Sequence, residues 1–103
     1  MYPWYSLFKG IWEISGHDVK KYNQIVEKLF SRWLLLIEKE EKNPFMRMIY
    51  VKFVLTLAEK ADRITNEEIE KLIELHVGWG LEERILRKLI DIFNQEVRQV
   101  ERG

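Results

Sequence analysis

Apolar residues recur along the chain at steps of three and four, and no stretch alternates apolar with polar long enough to make a strand. The pattern therefore predicts helices almost throughout. Pro3 suits the first turn of a helix running to about Ile14. Ser15-Gly16-His17-Asp18 then reads as a capping box, with Ser15 as the cap and Asp18 three residues on. A long helix follows to about Lys42, and Asn43-Pro44 gives a cap and a first helical residue for a third helix over about 44–61. Thr65-Asn66-Glu67-Glu68 is a second capping box, opening a helix to about Val77. Gly78 is expected to take the left-handed capping conformation, and a last helix spans Leu81 to about Glu101.

The helix faces differ. The last helix puts Leu86, Leu89, Ile90, Phe93, Val97 and Val100 on one stripe, an ordinary core-facing pattern. The third is apolar nearly all round, with Phe45, Met46, Met48, Ile49, Tyr50, Val51, Phe53, Val54, Leu55 and Leu57 broken only by Arg47, Lys52 and Thr56. An all-round apolar helix belongs inside. The second helix has the same character from Phe30 to Ile37, and Trp4, Tyr5, Leu7, Phe8, Ile11 and Trp12 repeat it in the first. The expected fold is all-α: a single domain, a compact bundle of four to five helices with a largely buried central helix over about 44–61.

A chain of 103 residues has room for about one fully surrounded helix, and here two or three segments ask for that place. Part of the apolar surface is therefore expected to be covered by another chain. The candidates for such an interface are the large aromatics Trp4, Tyr5, Phe8, Trp12, Trp33 and Trp79. Trp79, between two glycines, reads first as a plug over the core and second as an exposed anchor.

Charge changes the picture by what it lacks. Lysine plus arginine and aspartate plus glutamate number 17 each, so the basic surplus of a typical nucleic-acid binder is missing. Two local basic stripes remain: Lys20, Lys21, Lys28 and Arg32 on the second helix, and Arg84, Arg87, Lys88 and Arg98 on the last. Side by side they would offer a weak phosphate-binding surface. The spacings Glu67 to Lys71 and Glu83 to Arg87 instead suit surface ion pairs. The segment from Thr65 to Leu89 loosely resembles a helix-turn-helix reader, but Glu82 and Glu83 stand where a reading helix meets phosphates.

Candidate chemistry is sparse. With no cysteine, disulfides, thiolate zinc sites and thiol catalysis are excluded. Ser15, His17 and Asp18 are the residue types of a hydrolase triad, but crowded into one turn where capping explains them. His17 and His76 are the only histidines, and neither sits at a helical metal-ligand spacing. Gly78-Trp79-Gly80 follows no strand and is too short for a phosphate loop. No enzyme activity, cofactor or small-molecule substrate is expected. The N-terminal stretch does not read as a secretory leader, and the longest apolar run is the five residues Trp33 to Ile37, so a cytoplasmic protein without a membrane span is expected. Abundant Glu, Lys and Arg with few Asn and Gln resembles the composition of heat-adapted proteins. The expected function is association: a homo-oligomer or small subunit, with a nucleic-acid-associated helical module as the alternative.

Overall fold

The structure is a computed structural model that describes residues 7–102, with side chains up to residue 100. The expected start of the first helix at Pro3, together with Trp4 and Tyr5, lies outside the described residues. Five α-helices and no strand are found among the described residues: α1 (Lys9–Ile14), α2 (Val19–Glu40), α3 (Pro44–Glu59), α4 (Asn66–Gly78) and α5 (Glu83–Phe93). The last helix continues through a π-helical turn, Asn94–Arg98, into a final turn, Gln99–Arg102. The all-α bundle is as the hydrophobic pattern requires.

Local chemistry sets the boundaries. Asn43 caps α3 by accepting the Phe45 and Met46 N–H groups at 2.9 and 3.4 Å, and Pro44 takes the first helical position. Thr65 caps α4 by accepting from Glu68 N at 3.1 Å. The first expected box is different. Asp18, not Ser15, caps α2, accepting from Lys21 N at 3.1 Å. Ser15 ends α1: Gly16 takes φ +69°, Gly16 N donates to Glu13 O and His17 N to Trp12 O, and the Ser15 hydroxyl bonds back to Trp12 O at 2.7 Å. A glycine in the left-handed region closes a helix more readily than a serine opens one, and the aspartate two residues later is free to cap. A similar correction applies further on. Gly78 is the last residue of α4, and Gly80, at φ +99°, closes it with Gly80 N on Val77 O and Leu81 N on His76 O.

The core lies where α2, α3 and α5 meet. Tyr22, Leu29, Trp33, Tyr50, Phe53, Leu57, Ile85, Leu86, Leu89 and Phe93 are fully buried there. Each such side chain contributes on the order of 1.5–3 kcal/mol relative to exposure. Trp33 stacks parallel to Phe93 at 6.5 Å and meets Phe30 edge-on at 5.1 Å. Its indole N–H donates to Leu89 O at 3.0 Å. Trp33 is therefore withdrawn as an interface candidate, because both its ring and its one polar atom are used inside. At the other side α1 presses on the end of α3 through Gly10, where an added Cβ would stand 2.5 Å from Ala61 N and 2.7 Å from Ala58 O. Only glycine allows that approach.

Candidate association surface

The inner face of α3 buries Tyr50, Phe53, Val54, Leu57 and Ala58. Its outer face does not follow them in. Phe45 is 69% and Met48 67% exposed, Lys52 and Glu59 are exposed, and Ile49, Val51 and Leu55 are half-buried beside them. The cap explains the placement: Asn43 and Pro44 start the helix so that Phe45 comes two residues in and turns away from the core. Arg47 is not available to solubilise this face, because its guanidinium folds back onto the carbonyl oxygens of Glu38 and Glu41 at the end of α2. Sequence reasoning read this helix as buried and did not single out Phe45 or Met48. The usable signal was their spacing with Leu55, which repeats the three–four step on the side opposite Phe53.

Other large apolar residues are exposed at separate places. Leu34 and Leu35 stand on α2, and Leu75, Val77 and Trp79 at the end of α4. Trp79 is 57% exposed, so it is not the expected plug. It packs its edge on buried His76 at 4.8 Å, and His76 in turn meets Phe53 at 4.9 Å. The His76 Nδ1 lies 2.8 Å from Leu72 O, which holds the ring between the two aromatics. A shallow groove lined by Lys71, Glu74, Leu75, Gly78 and Trp79 runs beside it. Phe8 and Trp12 are half-buried at the rim of the core. Phe8 packs on Phe30 at 5.0 Å, while Trp12 stacks on His17 at 5.2 Å and meets Tyr22 edge-on at 5.6 Å.

The basic stripes do lie on neighbouring helices, since α2 and α5 pack side by side, but most of their charges are engaged. Arg32 pairs with Glu96 at 2.7 Å and reaches Gln95, with Lys28 3.8 Å from the same carboxylate. Glu40 binds Arg84 at 3.0 Å and Lys88 at 3.3 Å. Those two cations hold the Glu40 carboxyl below the usual range. Arg87 forks onto both oxygens of Glu70, at 2.6 and 2.9 Å, and also contacts Glu83, which lowers the Glu70 carboxyl and raises the guanidinium further. The expected pairs Glu67–Lys71 and Glu83–Arg87 are present at 3.5 and 3.1 Å. Arg98 donates to Asn66 at 2.6 Å. Of the eight cations of the two stripes, Lys20 and Lys21 alone make no ion pair or side-chain hydrogen bond among the described residues.

The remaining polar features are local. His17 sits at φ +63° with its Nε2 2.8 Å from Glu13, as part of the turn rather than of a triad. Tyr50 accepts the Glu82 N–H at 2.9 Å, which satisfies the start of α5, and burial raises the phenol. Asn94 Oδ1 is buried without a hydrogen-bond partner beside a recess lined by Asn66, Arg98 and Gln99. Among the described residues no group of three or more His, Cys, Asp or Glu side chains is placed to hold a metal ion, and no helix is long and apolar enough to cross a membrane. Comparison with family models, with curated proteins and with solved structures found no match to any of the three.

Proposed function

We propose that this protein is a non-enzymatic association module, acting as a homo-oligomer or as a small subunit of a larger assembly in the cytoplasm. The observation that carries the reading is the outer face of α3, where Phe45 and Met48 each leave about two-thirds of their surface in water. Two large apolar side chains one turn apart on a rigid helix are the raw material of an interface centre. The lack of cysteine accords with a reducing compartment. Light scattering from a few micromolar upward tests the reading. A mass that rises above the monomer is expected, and a monomer at every concentration would contradict the homo-oligomer.

A nucleic-acid-associated module is the second reading, favoured by the side-by-side packing of α2 and α5 and by the unpaired Lys20 and Lys21. Against it stand Glu40, Glu70 and Glu96, which already neutralise five of the other cations. Phosphate contacts by those five cations would each have to break an ion pair first, so binding is expected to be weak and quickly removed by salt. Adding nucleic acid to the same scattering experiment separates the two. Submicromolar binding near 0.15 M salt would put this reading first.

A further inference from the structure

We draw no further inference here: the strongest candidate, the recess between the start of α4 and the π-helical turn after α5, lined by Asn66, Asn94, Arg98 and Gln99, has nothing in it that points to a ligand, since Arg98 already donates to Asn66 at 2.6 Å and the unpartnered Asn94 Oδ1 is buried out of reach of a molecule in the recess.

Discussion

The indole N–H of Trp33 on α2 donates to the backbone carbonyl of Leu89 on α5, 56 residues away, and this bond joins two helices that pack side by side in the core. The donor is buried, so its partner is not replaceable by water. Trp33→Phe should lower stability by about 1–3 kcal/mol, from a lost hydrogen bond and an incompletely filled site. Chemical denaturation measures it. Association per molecule of folded protein should be unchanged, because Trp33 has no exposed surface.

Gly10 tests the packing of α1. A methyl group there would collide with the backbone of Ala58, Glu59 and Ala61, atoms that no side-chain rotation can move away. Gly10→Ala should cost about 1–3 kcal/mol despite alanine's better helix propensity. A melting temperature equal to or above wild type would mean that α1 does not dock as described.

The caps give a paired test. Asp18→Ala and Thr65→Ala should each cost about 1 kcal/mol, since each leaves a first-turn N–H without its acceptor. Ser15→Ala should cost less, below about 0.5 kcal/mol, because its hydroxyl only adds to a carbonyl already used by the turn. The reverse order in urea titrations would restore Ser15 as the cap of α2.

The acidic side of the stability profile should carry the mark of Glu40 and Glu70. Hydrogen bonds from Arg84 and Lys88, and from Arg87, hold these carboxyls below the ordinary value of 4.5 in the folded chain. A depressed folded pKa means the unfolded state binds protons first as pH drops. Their contribution is therefore complete above about pH 4.5 and is lost as pH falls through the lower folded values. Both pairs are at the surface, so the effect is modest and screened by salt. Comparing melting at pH 7 and pH 3, Glu40→Gln and Glu70→Gln should each narrow the gap between the two temperatures. An unchanged gap would mean that the pairs do not persist in solution.

Much of this architecture was legible because it is local. The helix spans, the Asn43-Pro44 start and the Thr65 cap depend on residues within four positions of one another, and periodicity and capping chemistry register them. What failed was decided at longer range or by competition. Ser15 looked like a cap until Gly16 closed the preceding helix, and Gly78 looked like a terminator until Gly80 took that place. Trp33 looked like a surface anchor, and only its packing against Phe93 and Leu89 removes it. Whether the basic stripes are neighbours was left open by the sequence, and their neutralisation comes from Glu40 and Glu96, more than 40 residues from the cations they hold, and from Glu70, 17 residues from Arg87. Phe45 and Met48 escaped notice for a related reason. A helix apolar on every side does not say in sequence which side faces in.

The surface itself can be observed residue by residue. In amide and methyl NMR spectra recorded on dilution, from about 500 μM to 20 μM across the micromolar range of weak specific contacts, exchange between dimer and monomer shifts the nuclei at the contact. The expected shifts are concentrated at Phe45, Met48, Lys52 and Leu55 on the outer face of α3, and the Trp79 indole and the Glu40–Arg84 pair stay still. Shifts confined to Leu75, Val77 and Trp79, or spectra that do not change with concentration at all, would contradict the account.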